Sequence, residues 1–351
     1  MSPDRRTFLQ LAALASSAAS LEANAQEAKR FAIAIHGGAG KSADRMPPEE
    51  VKAVEASLGQ ALDIGVKVLQ EGGASLDAVE QVLRFLEDDP LFNAGRGAVF
   101  TAEGRTELDA AIMDGKSLAA GSIAGITRTR HPISLARRVM EKSPHVMLIS
   151  TGADTFSKEQ GLEQVEPGWF YTERRWRALE KFLKEKNLPI PPKPAGVRDA
   201  GTTASLAHDE GKKGTVGVAA LDLSGNIAAG TSTGGTTGKR WGRVGDSPII
   251  GAGTYASNTS CAVSATGTGE YFIRLAVARE ICALVEYKGM KLQAAADDVV
   301  QKRLSAIGGD GGIIAVAPDG QMAWSFNTSG MYRARMSKDQ PVLIAIYKDE
   351  K

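Results

Sequence analysis

Cysteine is scarce in this chain, which has only Cys261 and Cys282 among its 351 residues. Neither lies in a CxxC pair or beside a histidine at the spacing of metal ligands, so the sequence gives little support to a zinc site or a disulfide framework. Because small cysteine side chains are commonly buried, both are predicted to be core residues.

The chain also lacks an excess of positive or negative charge, and it lacks long apolar runs. The formal net charge is +1, whereas a nucleic-acid-binding protein normally concentrates enough Lys and Arg to raise that total. No apolar run reaches the roughly 18 residues of a membrane-spanning helix. The composition, 43% hydrophobic and 24% charged with 39 Gly and 14 Pro, is that of a globular protein with one large domain or two small ones. Neither nucleic acid nor a membrane span is expected.

Signatures of several enzyme classes are absent as well. There is no GxSxG nucleophile elbow, and the glycine runs match neither a phosphate-binding loop nor a dinucleotide fingerprint. Among the four histidines, His36 precedes a glycine loop and is expected to be packed there. The remaining three, His131, His145 and His208, have no partner at a useful spacing and are assigned no role.

The first 25 residues have the regions of a secretory signal. Arg5-Arg6 is followed by Phe8-Leu9, a weakly apolar run over residues 11–19 and the small-residue sequence Ala23-Asn24-Ala25. Paired arginines in this setting are typical of a twin-arginine signal. We therefore expect residues 1–25 to direct export of a folded protein to a periplasm-like compartment; a frayed amphipathic helix is the alternative.

Hydrophobic periodicity predicts helices and strands in alternation. The predicted helices cover residues 51–69, 75–86, 134–141, 172–186, 270–288 and 291–304. The predicted strands cover residues 30–36, several short runs between 97 and 128, and residues 215–223, 227–233, 312–317 and 321–326. Ser75 is expected to cap the second helix. This order of elements predicts an α+β fold with helices outside stacked sheets.

Residues 187–213 interrupt this pattern. They are rich in Pro, Gly and charge and have no apolar period, so they are predicted to be a mobile linker. The strand pattern resumes immediately after Gly214, with Thr215 as its first residue.

Three clusters of Thr, Ser and Gly stand where a structural strand would use Val or Ile: 214–217, 231–235 and 266–269. A single Thr-Gly pair is usually a turn, so the case for a catalytic site depends on the combination. Between the second and third clusters, Arg243 and Asp246 could hold the carboxylate and ammonium groups of an amino acid. A surface ion pair of little energetic value is the alternative.

Eight ordered motifs resemble the plant-type asparaginases, also called isoaspartyl peptidases. They are HGGAG at 36–40, PLFNAGRGAVF at 90–100, LDAAIMDG at 108–115, GTVGVAALD at 214–222, TSTGG at 231–235, GRVGDSP at 242–248, TGTGE at 266–270 and FNTSGMYRA at 326–334. The resemblance extends over about residues 30–348. It implies an N-terminal-nucleophile hydrolase with a four-layer αββα sandwich, made as a precursor that cuts itself immediately before a threonine.

That threonine would be Thr215. Cleavage of the Gly214–Thr215 bond would divide one catalytic domain into an α portion, residues 26–214, and a β portion, residues 215–351. A threonine hydroxyl is a poor nucleophile at neutral pH, and no His, Cys or metal cluster supplies a base. Cleavage would create one, the α-amino group of Thr215, whose pKa of about 8 suits neutral pH.

The resemblance also implies roles for other site residues. Thr233 would assist the Thr215 hydroxyl and the self-cleavage, and Thr266 with the backbone N–H of Gly267 would form the oxyanion hole. We expect Thr215 and Thr266 at the same end of adjacent strands. In addition, Arg243 and Asp246 would bind the α-carboxylate and α-amino group of the substrate, and Asn93 would support the nucleophile.

No catalytic cofactor is implied, but the resemblance includes a structural sodium ion held by backbone carbonyls. These map to Leu86, Glu87, Asp89, Phe92, Ala94 and Arg96. Backbone oxygens are suitable ligands for a hard cation. A dimer of αβ units is also implied.

The function that the resemblance implies is hydrolysis of β-aspartyl dipeptides and L-asparagine, which releases L-aspartate through an acyl-enzyme. A glycosylasparaginase is the alternative within this fold. That family shares TSTxG and GRVGDSP but typically has His-Asp before its threonine and TGNGD later, where this chain has Lys213-Gly214 and TGTGE at 266–270. An exported amino-acid-binding protein, using Arg243 and Asp246 without chemistry, is the alternative from another class.

Overall fold

The computed structural model describes residues 30–40, 46–197 and 214–350. The predicted export signal, residues 1–25, lies outside the described residues, as does the part of the predicted linker at 198–213. The described part of that linker contacts the rest of the α portion, because the carbonyl of Ala195 accepts a hydrogen bond from the N–H of Gly168 (2.9 Å). The mobility of the linker stays a prediction.

The described residues form twelve strands and eight α-helices. In chain order the strands are β1 (Ala32–Gly40), β2 (Leu108–Asp114), β3 (Ala120–Ile126), β4 (Met147–Ile149), β5 (Val216–Leu221), β6 (Ile227–Thr233), β7 (Thr254–Ala256), β8 (Ala262–Gly267), β9 (Gly311–Val316), β10 (Met322–Phe326), β11 (Gly330–Ser337) and β12 (Gln340–Tyr347). The helices are α1 (Pro48–Gln70), α2 (Ser75–Asp88), α3 (Pro132–Lys142), α4 (Ser150–Glu159), α5 (Glu173–Glu185), α6 (Gly269–Leu275), α7 (Val277–Lys288) and α8 (Leu292–Asp297). None of them is long and apolar enough to cross a membrane.

Two sheets stack face to face. The larger has eight strands in the order β12-β11-β1-β5-β6-β2-β3-β4, and the smaller has four in the order β10-β9-β8-β7. Helices α1, α2 and α3 pack on the outer face of the large sheet, while α7 and α8 pack on the outer face of the small one. The predicted α+β fold, a four-layer αββα sandwich, is confirmed.

Separate apolar cores hold these layers together. The first lies between α1–α3 and the large sheet, and includes Leu58, Leu62 and Leu83. The second lies between the two sheets and is rich in alanine, whose small side chain allows the sheets to approach closely. The third lies under α7 and α8 and contains Cys261 and Cys282, so the prediction that both are core residues is confirmed.

Local differences from the sequence predictions have identifiable causes. The predicted Ser75 cap is wrong: Ala74 precedes the helix, and the Ser75 N–H donates to the carboxylate of Asp222 (3.0 Å) in the turn after β5. The predicted helix over 270–288 is divided at Ala276, which has φ 48° and ψ 49°. The first N–H groups of α7 donate to carbonyls of the 251–252 loop, which fixes a new helix direction there.

Candidate active site

Thr215 lies immediately before β5, in the interior of the molecule. Its hydroxyl is 3.1 Å from the hydroxyl of Thr233, the last residue of the neighbouring strand β6, and 2.7 Å from the carbonyl oxygen of Gly214. Both threonine side chains are buried. The structure therefore brings together the predicted nucleophile, its predicted assistant and the peptide bond that would be cut.

The carbonyl of Gly214 is surrounded by hydrogen-bond donors. It accepts from the side-chain amide of Asn93 (2.8 Å) and from the hydroxyl of Thr233 (3.1 Å). Asn93 is oriented by two further bonds, because its amide nitrogen also donates to the carbonyl of Gly235 (2.8 Å) and its oxygen accepts from the N–H of Val99 (2.9 Å). These fixed donors point at the oxygen where negative charge would develop during attack on this carbonyl.

The glycine-rich end of β1, residues 37–40, lies between the Gly214–Thr215 peptide and Thr266. Gly38 has φ +116°, and a Cβ there would lie 2.9 Å from Cα of Gly214. The next residue, Ala39, donates its N–H to the hydroxyl oxygen of Thr266 (3.2 Å). Since that oxygen accepts from Ala39, its own proton is available to a carbonyl in the site.

The expected placement of Thr215 and Thr266 on adjacent strands is wrong in one respect. Thr215 leads into β5 of the large sheet, whereas Thr266 and Gly267 end β8 of the small sheet. The two strands face each other across the sandwich and do not pair. The site is thus built between the two sheets.

Arg243 makes a two-point ion pair with Glu270. The guanidinium Nε and Nη2 lie 3.0 Å from Oε1 and Oε2 of Glu270, respectively. This fork geometry fixes the plane of the guanidinium. Glu270 belongs to the TGTGE motif at 266–270, but the sequence analysis assigns it no role.

Asp246 is buried and incompletely paired. Its Oδ2 atom has no hydrogen-bond partner among the described residues, and burial raises the pKa of its carboxyl to about 7. A Cβ on Gly269 would lie 2.9 Å from Oδ1 of Asp246 and 3.0 Å from Nη2 of Arg243. Both side chains therefore lie next to Gly269 and close to each other. The alternative of a surface ion pair between the two is wrong, because Asp246 is buried and Arg243 pairs with Glu270.

Sequence reasoning missed two buried features of this site. His36, expected to be merely packed, has its Nδ1 atom 3.0 Å from the carbonyl oxygen of Thr215. Asp109 pairs in register with Thr233, and its Oδ2 lies 3.9 Å from Nζ of Lys239 with both side chains buried. The signal was present, because these residues belong to or adjoin three of the ordered motifs.

In the predicted sodium loop, two glycines lie close to backbone carbonyl oxygens. A Cβ on Gly95 would lie 2.2 Å from the carbonyl oxygen of Glu87, and one on Gly97 would lie 1.9 Å from that of Phe92, so only glycines leave these oxygens uncovered. The carbonyls of Asp89 and Ala94 each accept one backbone N–H, which leaves a second lone pair on each. Oxygen atoms are the ligands that a hard cation prefers, and the sodium ion itself stays a prediction.

Comparison with known proteins agrees with this geometry. A family model described as asparaginase matches residues 29–346. An isoaspartyl peptidase of Escherichia coli (strain K12) is 46% identical over 320 residues, 91% of this chain and 96% of that protein. A probable isoaspartyl peptidase/L-asparaginase 2 of Arabidopsis thaliana is 43% identical over 329 residues (91% and 99%), and a plant-type L-asparaginase of Pyrococcus abyssi is 41% identical over 313 residues (88% and 96%). The chain therefore belongs to the asparaginase family.

Proposed function

We propose that this protein is an autoprocessed threonine amidohydrolase that cleaves β-aspartyl dipeptides and L-asparagine and releases L-aspartate. The observation that carries the proposal is the Gly214–Thr215 peptide, whose carbonyl faces the amide of Asn93 and the hydroxyl of Thr233 while the Thr215 hydroxyl lies beside it. The names of the three relatives support this activity over a glycosylasparaginase.

Maturation begins when the Thr215 hydroxyl attacks the carbonyl carbon of Gly214. The C–N bond breaks, an ester forms at Oγ1, and the hydroxyl proton passes to the departing nitrogen. Asn93 and Thr233 donate to the oxyanion formed on the way. Water then hydrolyses the ester, which leaves Gly214 with a carboxylate and Thr215 with a free α-amino group.

In turnover the α-amino group of Thr215 removes the proton from its own hydroxyl. The oxygen attacks the side-chain carbonyl of the substrate, Thr266 and the N–H of Gly267 donate to the oxyanion, and the amine leaves with a proton. Water attacks the resulting ester and frees aspartate. Because the base exists only after cleavage, processing and activity are linked.

The substrate is held by its amino-acid head group. Glu270 engages Nε and Nη2 of Arg243, which leaves Nη1 to donate to the α-carboxylate. The unpartnered Oδ2 of Asp246 is an acceptor for the α-ammonium group. Burial of an unpaired carboxylate oxygen is unfavourable, and an ammonium ligand would relieve it. This pairing selects substrates with both groups on one carbon.

Three further features belong to the proposal. The carbonyl groups of the 86–96 loop would hold a sodium ion that stabilises the loop next to Asn93, without a role in bond cleavage. Two αβ units would associate as a dimer, which light scattering would detect as twice the mass of one unit. Residues 1–25 would direct export to the periplasm, which a reporter fusion with Arg5 and Arg6 replaced by Lys would test.

A denaturing gel with N-terminal sequencing tests the central step. We expect two fragments, about residues 26–214 and 215–351, the second of which begins at Thr215, in a preparation that releases aspartate from a β-aspartyl dipeptide. The Thr215→Ala variant is the control and should stay a single inactive chain. A homogeneous full-length protein with activity contradicts the mechanism, and an intact protein that binds amino acids without hydrolysis indicates a binding protein.

A further inference from the structure

His36 makes one hydrogen bond with each of its ring nitrogens, and both partners are distant in sequence. The residue lies on β1, just before a bulge at Gly37 in the pairing with β11. Its Nδ1 atom is 3.0 Å from the carbonyl oxygen of Thr215, and its Nε2 atom is 2.9 Å from the hydroxyl oxygen of Ser264 on β8. The imidazole is fully buried.

The chemistry of these partners fixes the proton positions. A carbonyl oxygen only accepts, so Nδ1 of His36 must carry a hydrogen. Burial lowers the pKa of His36 to about 3, so the ring is neutral near pH 7 and Nε2 has no hydrogen. Nε2 therefore accepts, and the hydroxyl of Ser264 donates to it.

The bond from Ser264 continues into a chain of hydroxyl groups. The hydroxyl oxygens of Ser264 and Thr231 are 2.7 Å apart, and Thr254 donates to Thr231 over 2.6 Å. Since the Ser264 proton is directed to His36, Thr231 is the donor in its bond with Ser264. The hydroxyls of Thr231 and Thr254 also lie 3.2 Å and 3.1 Å from the carbonyl oxygens of Gly253 and Ser247, respectively. In the arrangement that satisfies the three short bonds of the series, every proton points toward the carbonyl of Thr215. Bonds aligned in this way strengthen one another in a buried setting.

We propose that His36 is a positioning residue that holds Thr215 in place for catalysis through the backbone carbonyl. The inference rests on the proposed function and deepens it. Thr215 lies outside the paired part of β5, because the register with β6 begins at Val216 and the register with β1 at Gly217. After cleavage Thr215 loses its peptide bond to Gly214, and a new chain end frays unless other contacts hold it. The hydrogen bond from Nδ1 of His36 to the carbonyl of Thr215 is such a contact.

Gly217 leaves room for the contact between His36 and Ser264. A Cβ at position 217 would lie 1.9 Å from the hydroxyl oxygen of Ser264 and 2.2 Å from Nε2 of His36. Any other residue there would separate the two groups. Glycine in a strand interior normally weakens the strand, and close approach by another group is one reason for its presence.

Two amide substitutions separate positioning from packing. In His36→Asn the amide nitrogen is as many bonds from Cα as Nδ1 is, so the bond to Thr215 can be kept while that to Ser264 is lost. In His36→Gln the amide group is as far along the side chain as Nε2, so the reverse holds. The Ser157→Ala variant is the control, because it removes a buried hydroxyl whose bonds within the described part of the chain are to Thr129 and Gln164.

The measurement is kcat on a β-aspartyl dipeptide, divided by the amount of Thr215 amino terminus found by sequencing. For His36→Gln we expect kcat to fall about 10- to 100-fold with KM within about threefold, as displacement of a nucleophile by about 1 Å does. His36→Asn should keep most of the parental kcat, and Ser157→Ala should keep all of it. The rate at which the Thr215 terminus appears is a second readout, which needs no substrate and should follow the same order.

Equal kcat and equal cleavage rates for the Asn and Gln variants would overturn the proposal, as would a His36→Gln enzyme within twofold of the parent in both readouts. If either variant does not fold, the parent protein supplies the test, because the bond to the carbonyl of Thr215 requires the neutral ring of His36 to carry its hydrogen on Nδ1. A nitrogen NMR spectrum of the His36 ring that places the hydrogen on Nε2 then overturns the proposal. A parent that cuts itself but releases no aspartate contradicts the proposed substrate class and leaves the cleavage readout to decide the role of His36.

Discussion

In the proposed mechanism, the residues around Thr215 divide between two reactions. Asn93 touches the carbonyl of Gly214, which belongs to the peptide bond that is cut, so its donor serves maturation. Thr266 belongs to β8 of the small sheet and accepts a hydrogen bond from the N–H of Ala39 at the glycine-rich end of β1. Its hydroxyl has no contact with the carbonyl of Gly214 among the described bonds, so its donor serves turnover. Thr233 bonds to both Gly214 and Thr215 and takes part in each step.

Replacement of Thr266 by Ala separates turnover from maturation. The variant should fold and still cut before Thr215, because the carbonyl of Gly214 keeps Asn93 and Thr233 as donors. Its kcat should fall by about 10²- to 10³-fold, which is typical for loss of one oxyanion donor. Steady-state kinetics on a β-aspartyl dipeptide provide the measurement. Turnover within twofold of the parent would remove Thr266 from the oxyanion hole.

The Arg243→Ala variant tests the head-group clamp. Processing should be intact, while KM should rise strongly, because loss of a charged partner inside a pocket costs about 2–5 kcal/mol. Arg240→Ala is a matched control, since that guanidinium stacks on the exposed Trp241 at 4.8 Å from the ring centroid. Unchanged kinetics for Arg243→Ala, or equal effects of the two variants, would refute the clamp.

Asp246 should make substrate binding depend on pH. Burial raises the pKa of this carboxyl to about 7, and the neighbouring charges of Arg243, Glu270 and Asp109 modify it. Only the ionised form attracts the α-ammonium group, so KM should rise as pH falls through about 7, by about tenfold per pH unit well below that value. The KM of a substrate without the α-amino group should lack this rise. If both substrates respond alike, Asp246 is not the ammonium acceptor.

The sequence predicts these residues only in part, for a physical reason. Thr215, Arg243 and Asp246 stand in motifs whose glycines and hydroxyls are unusual for strands, so local patterns mark them. The roles of His36 and Glu270 depend on partners 179 and 27 positions away. Such pairings exist only once segments that are distant in sequence have come together in the fold, and no local pattern encodes them.

At the scale of elements, periodicity predicts what is regular and misses what tertiary contacts impose. Helix α1 was expected over 51–69 and spans Pro48–Gln70, because its apolar face repeats without interruption. The expected helix over 291–304 begins at Leu292 but continues beyond Asp297 as a π-helical turn to Leu304. Strands β11 and β12 were not predicted, and they form the edge of the large sheet beside β1.

The glycine-rich end of β1, residues 37–40, packs directly against the cleavage site. In Gly38→Ala the new Cβ would meet Cα of Gly214, and φ +116° is unfavourable for alanine. We therefore expect a folded protein whose self-cleavage is at least about tenfold slower, because small displacements of a reacting group are costly. Gly72→Ala is the control, since Gly72 also has positive φ but nothing within 4 Å of its Cβ position. The appearance of fragments over time on a denaturing gel decides the matter, and equal rates for the two variants would contradict this role.

At the scale of the whole molecule, the proposed cut lies within a sheet that both portions build. Strands β1 to β4 precede Thr215, and β5 to β12 follow it. In the large sheet β1 lies between β11 and β5, and β2 pairs with β6, so three strand pairings cross the cut. The core under α1–α3 also draws apolar residues from both portions.

The two fragments should therefore stay together after maturation. Their separation would break three strand pairings and divide an apolar core, and burial contributes about 25 cal/mol per Å² of apolar surface. In native gel filtration we expect both fragments in one peak, at the elution volume of the uncut Thr215→Ala protein, and separation only in denaturant. If native chromatography divides the fragments while activity is kept in one of them, the β portion folds and works alone. The contact of His36 from the α portion would then be dispensable for turnover.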